Sequence, residues 1–153
     1  MSAELTVALE ATAKALPDLA RRLAAEAGAA RSEAAGSESA WSARQVLAHL
    51  ADFELVAAVR VRAVLSLPRP DLPTYGQEEF TRRFANVESA EEALARFLAV
   101  RRSTLRVLES LTDQDWERTG LHARRGEETL RRTVEMLVAH DRSHLEQMRA
   151  AAR

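Results

Sequence analysis

Trp41-Ser42-Ala43-Arg44-Gln45-Val46, continuing into Leu47-Ala48-His49-Leu50-Ala51-Asp52-Phe53, is the stretch on which the fold turns. Ser42 can accept a bond from the backbone three residues on, Gln45 can return it, and Trp41 can close over Val46. A helix therefore starts here with a capping box and an apolar staple. Its apolar residues recur at Val46, Leu50, Phe53, Val56, Ala57, Val61 and Val64, the three-and-four spacing of one helical face, until Pro68, Pro70 and Pro73 end it.

Upstream, Leu5, Leu9, Ala13, Leu16, Leu19, Leu23 and Ala27 mark an earlier helix, which Pro17 should bend or split because proline lacks a backbone donor. Gly28 through Gly36 to Ser39 reads as a connection. Downstream of the proline-rich loop a short helix is expected around Glu78 to Ala85. Ser89 and Glu92 then form a second capping box, and Leu94, Phe97, Leu98, Leu105, Leu108 and Leu111 give a third long helix its buried face. Thr112 to Glu128 reads as connection, with one turn at Asp113 to Glu117. A last helix runs from about Glu127, with Leu130, Val134, Leu137, Leu145 and Met148 as its stripe. Four amphipathic helices hide such stripes around a shared axis, so an all-α four-helix bundle, one domain over residues 1–153, is expected.

Composition agrees, being rich in Ala, Leu, Arg and Glu and poor in Gly, Pro and aromatic residues. Lys14 is the only lysine; the arginines are offset by acids to a formal net charge of −1, which argues against a nucleic-acid partner. The chain has no cysteine, so thiol chemistry would need a thiol from outside. The start of the chain lacks a signal-peptide pattern and no stretch approaches the roughly 20 apolar residues of a membrane span. A cytoplasmic protein with no membrane partner is the expectation.

His140-Asp141-Arg142-Ser143-His144 places two imidazoles four residues apart on the inward stripe of the last helix, in register with Leu137 and Met148. His49, one turn after Val46 and one before Phe53, is inward on the second helix. Unpaired imidazoles in a core cost free energy. A divalent ion, zinc or nickel, would pair all three and keep positions open for water or substrate. Asp52 shares the side of His49 and could orient a ligand or a water. Arg101, inward on the third helix, could receive a substrate carboxylate. His122, in a connection, could serve as an acid or base at the pocket rim. Trp41 and Trp116 read as packing residues, and Tyr75 and Phe80 either pack in the same way or line the mouth of the pocket.

Trp41-Ser42 followed by His49-Leu50-Ala51-Asp52, Thr119-Gly120-Leu121-His122 leading to Gly126 and Thr129-Leu130, and His140-Asp141-Arg142-Ser143-His144-Leu145-Glu146-Gln147 resemble the DinB/YfiT-like superfamily of metal-binding four-helix bundles. The resemblance implies metal ligands at His49, His140 and His144, and a long crossover between the second and third helices where the proline loop lies. It further implies transfer of a low-molecular-weight thiol to an electrophile, in a stress or detoxification role, or hydrolysis of a small-molecule substrate. The rival expectation is a non-catalytic metal- or ligand-binding stress protein. Relatives of this type often pair, and Val59, Leu65 and Leu67 lie off the main stripe, so a homodimer is expected.

Overall fold

The computed structural model describes residues 2–26 and 41–151; the expected connection from Gly28 to Ser39, and Ala27, lie outside them. In chain order the elements are α1 (Ser2–Glu26), α2 (Ala43–Ser66), β1 (Asp71–Leu72), α3 (Gln77–Phe84), α4 (Ala90–Glu109), α5 (Asp113–Trp116), β2 (Thr119–His122), β3 (Gly126–Thr129) and α6 (Leu130–Ala151). The fold is an all-α four-helix bundle of α1, α2, α4 and α6, with a small sheet at its side. The long crossover from α2 to α4 carries β1 and α3.

Both capping boxes form. Ser42 Oγ accepts from Gln45 N at 3.3 Å while Gln45 Oε1 accepts from Ser42 N at 2.8 Å, and Ser89 and Glu92 do the same at the start of α4, at 3.1 and 2.8 Å. Pro17 does not split its helix. α1 runs through it, with Leu16 and Leu19 on either side buried, so packing outweighs the one missing backbone bond. α2 packs against α4 and α6, and α1 packs against the same two. The consecutive helices α1 and α2 thus lie across a diagonal of the bundle rather than side by side.

The sheet corrects the expected connection. β2 and β3 form an antiparallel hairpin with His122 opposite Gly126, and β1 pairs parallel to β2. Gly126 takes φ +77°, the left-handed conformation that closes a three-residue turn. α6 accordingly begins at Leu130 rather than near Glu127. Gly120 lets β1 come close: a Cβ there would sit 2.6 Å from Leu72 Cδ2.

The core is in two pieces. One gathers Leu16, Val46, Leu50, Phe97, Leu145 and Met148; the other gathers Leu9, Val61, Val64, Leu130, Val134 and Leu137. Between them, along α2, α4 and α6, lie the polar positions His49, Glu54, Arg101, Asp141 and His144, all buried.

Candidate metal centre

α2 delivers His49 and α6 delivers His140 and His144 to one point, with one ligand nitrogen from each lying within 4.8 Å of the others. His49 Nε2 and His140 Nε2 are 2.8 Å apart. Two nitrogens on a tetrahedral ion at ~2.05 Å would be about 3.3 Å apart, a spacing between the 2.8 Å of this pair and the 4.8 Å that bounds all three. His144 Nδ1 meets Gln147 Oε1 at 2.9 Å, which holds that ring from behind. The Nδ1 atoms of His49 and His140 are buried without a hydrogen-bond partner. Aromatic packing positions these rings instead. Phe53 stacks on His140 with centroids 3.7 Å apart, and Trp41 lies 4.9 Å from His49 and parallel to His144 at 6.4 Å.

Burial, with the neighbouring His144, pushes the His49 imidazole down to about 3. His140 is likewise held well below its ordinary value by burial, then by His144, His49 and Arg101. Both are neutral at pH 7, the state in which imidazole has a lone pair for a metal. Three imidazole nitrogens with no thiolate among them form a donor set that suits a divalent metal ion.

Beneath the histidines Arg101 is fully buried. Its Nη1 donates to Asp141 Oδ2 at 2.7 Å and to the Leu9 carbonyl at 3.1 Å, and its Nη2 donates to Glu54 Oε2 at 2.6 Å. One side chain thereby joins all four bundle helices. Burial alone would lower the Arg101 pKa, but Asp141 and Glu54 together raise it above arginine's ordinary value. Burial pushes the Glu54 carboxyl up, against the pull of Arg101. The fork expected to meet a substrate carboxylate is already engaged by two carboxylates of the chain itself. Sequence reading passed over Glu54 and gave Asp141 no role. The available signal was position: Glu54 lies four residues after Leu50, and Asp141 four after Leu137 and four before Leu145, both on apolar stripes.

Asp52 is buried but pairs with Arg96 at 2.9 Å, and Arg96 also holds Glu88. Burial raises its carboxyl pKa, against Arg96. It is not among the groups that converge with His49.

An open cavity of about 1180 Å³ leads to the centre, its wall including Trp41, Phe53, Tyr75, His122, Thr133 and His140. Tyr75 packs edge-on to Phe80 at 4.7 Å; Trp116 is buried in the second core. His122 ends β2 rather than lying in a loop, and it shares the cavity with His140 without joining the three-histidine group. Its Nδ1 accepts from the backbone N–H of Arg124 at 3.1 Å and of Arg125 at 3.4 Å. The proton of the neutral ring therefore sits on Nε2. Burial, then Arg125 and Arg60, lower its pKa.

Residues 8–148 match the model of the DinB superfamily. The chain belongs to the DinB superfamily. A relative from Oceanobacillus iheyensis, named "Putative metal-dependent hydrolase", is 26% identical over 105 residues, 69% of this chain and 61% of its own length. The chain thus spans less than two thirds of that relative. Among solved structures, YfiT from Bacillus subtilis, described as "a probable metal-dependent hydrolase with an unusual four-helix bundle topology", superposes with a TM-score of 0.73 at 19% identity, covering 95% of this chain and 86% of YfiT. At that identity the likeness speaks for the fold.

Proposed function

We propose that this DinB protein is a metal-dependent enzyme acting on a small molecule, with His49, His140 and His144 holding one zinc or nickel ion. The observation that carries this is the convergence of three imidazoles, two of them neutral well below pH 7, at the side of a cavity. An ion held by three protein ligands, when bound, supplies an open position and lowers the pKa of a water or thiol there. Trp41 and Phe53 pack against the imidazoles and fix their planes. Arg101, with Glu54 and Asp141, acts as a positioning residue that sets α6 against α2. His122 offers a hydrogen-bond donor, Nε2–H, on the cavity wall, and Asp52 contributes through Arg96 to holding α2.

Transfer of an external low-molecular-weight thiol to an electrophile is the finer reading, in keeping with a chain that has no cysteine of its own. Hydrolysis is the second, favoured by the name of the Oceanobacillus iheyensis relative. Conjugation of chlorodinitrobenzene to bacillithiol, mycothiol or glutathione, and cleavage of a panel of esters and amides, should be measured with and without added metal. Metal-dependent conjugation abolished in His49→Ala supports thiol transfer. Metal-dependent ester or amide cleavage alone replaces it with hydrolysis, and no turnover in either panel leaves a binding protein.

We further propose a cytoplasmic homodimer. Val59 and Leu67 are exposed, whereas Leu65 is half-buried against the second core. Sedimentation at tens of micromolar showing only monomer would remove the dimer.

A further inference from the structure

The cavity has a second end, about three helical turns along α2 from His49, lined by α2, the crossover and the β2–β3 hairpin. Arg60 is only 6% exposed there. Its Nε and Nη2 both donate to the Pro73 carbonyl, at 2.8 and 2.6 Å, which uses one edge of the guanidinium. Among the described residues no carboxylate pairs with it. The charged groups that act on it are a second guanidinium, Arg125, and the Glu128 carboxylate.

Glu128 is nearby but makes no direct bond to Arg60, and its oxygens bond other groups. Oε2 accepts from Arg125 Nε at 2.7 Å, and Oε1 accepts from Arg125 Nη2 at 2.8 Å and from Thr133 Oγ1 at 3.1 Å. Arg124 lines the same cavity and has no carboxylate partner among the described residues. His122 adds the Nε2–H donor that its two backbone bonds enforce. This end thus carries three guanidiniums against one carboxylate. The acids elsewhere on the wall, Glu78 and Glu79, belong to α3, and Glu79 is committed to Arg82 at 2.6 Å. A buried cation with no direct ion pair is costly, and an anion arriving beside it offsets that cost. A guanidinium edge matches an oxyanion bidentately.

We propose that this end of the cavity is a subsite for an anionic group, a carboxylate or a phosphate, on the small-molecule substrate, recognised by Arg60, Arg124 and His122 with Arg125 fixed beside them by Glu128. It rests on the reading of the three-histidine centre as the reactive end, since that reading makes the cavity a substrate site. The substrate class is then an organic acid or phosphate ester whose reacting bond lies away from its charge, the charge at the hairpin and the bond toward His140.

The test is calorimetric titration of the full chain, chelator-stripped and zinc-loaded, with benzoate, with inorganic phosphate and with benzamide as the uncharged control. Stripped protein should bind benzoate or phosphate one to one, and the tighter of the two names the anion. Benzamide should bind about tenfold more weakly or worse, because a charge-assisted bond is lost. Arg60→Gln and Arg124→Gln should each weaken the anion about tenfold and leave zinc stoichiometry unchanged. Arg124 is exposed, so its variant stays informative if Arg60→Gln disturbs the crossover. Equal binding of benzoate, phosphate and benzamide, or anion binding indifferent to Arg124→Gln, overturns the subsite. So does anion binding seen only in zinc-loaded protein and lost in His140→Ala, which would put the anion on the metal. Arg124-dependent anion binding by protein that takes up no zinc would keep the subsite and remove the metal reading instead.

Discussion

Arg101 has no exposed surface, and its charge is tolerated only because Glu54 and Asp141 meet its two amino groups while the Leu9 carbonyl takes a further bond. Removing the cation strands two buried carboxylates. Arg101→Met should therefore cost about 3–5 kcal/mol, more than the roughly 1.5–3 kcal/mol of burying one apolar side chain, and urea denaturation would read it. Arg101→Lys should recover little, since an ammonium cannot present a fork to two acids. Replacing all three residues by apolar ones of similar size should cost less than the single change; a larger cost would show that the ion cluster itself stabilises the fold. The inward placement of Arg101, like that of the three histidines, was legible from helical spacing. Its partners were not, because spacing gives the face of a helix and not what lies opposite. Glu54 and Asp141 become visible only when one asks which acids break an apolar stripe.

At the scale of elements, the long helices were legible because their signals are local. Ser42 and Gln45, and Ser89 and Glu92, state their helix starts within four residues, and Ser42→Ala should cost about 1 kcal/mol. The hairpin was not legible. Thr119-Gly120-Leu121-His122 and Gly126-Glu127-Glu128-Thr129 show no alternation of apolar and polar residues and few β-branched ones, and they are strands because they pair with each other and with Asp71–Leu72. The close approach at Gly120 gives the pairing a test. Gly120→Val would drive a side chain into Leu72 and should destabilise the protein by about 1–3 kcal/mol. It should also shift the His122 ring resonances in NMR, since β2 carries that ring; a variant with unchanged stability and unchanged His122 signals would mean that the sheet does not hold the residue.

Across the whole molecule, a polar layer divides the core, and the pH response follows from it. In the metal-free chain His49 stays neutral down to about pH 3 and His140 also titrates well below its ordinary value, whereas unfolded histidines titrate near ~6.5. Below that pH the unfolded state binds more protons. The contribution is therefore complete above about pH 6.5 and is lost as pH falls toward the folded values, by about 1.4 kcal/mol per pH unit for each histidine. Asp52 and Glu54, whose carboxyls are raised, oppose the trend at its acid end. Urea midpoints of metal-free protein between about pH 8 and 5 should fall accordingly, and a flat profile would contradict the buried neutral state. The central claim, one divalent ion on His49, His140 and His144, is tested most directly by elemental analysis of untagged protein purified without a nickel column. Wild type and His122→Ala should each carry about one ion per chain, and His49→Ala, His140→Ala and His144→Ala essentially none. Wild-type protein that stays metal-free when offered zinc and nickel at neutral pH, or His140→Ala protein that keeps a full equivalent, would contradict it.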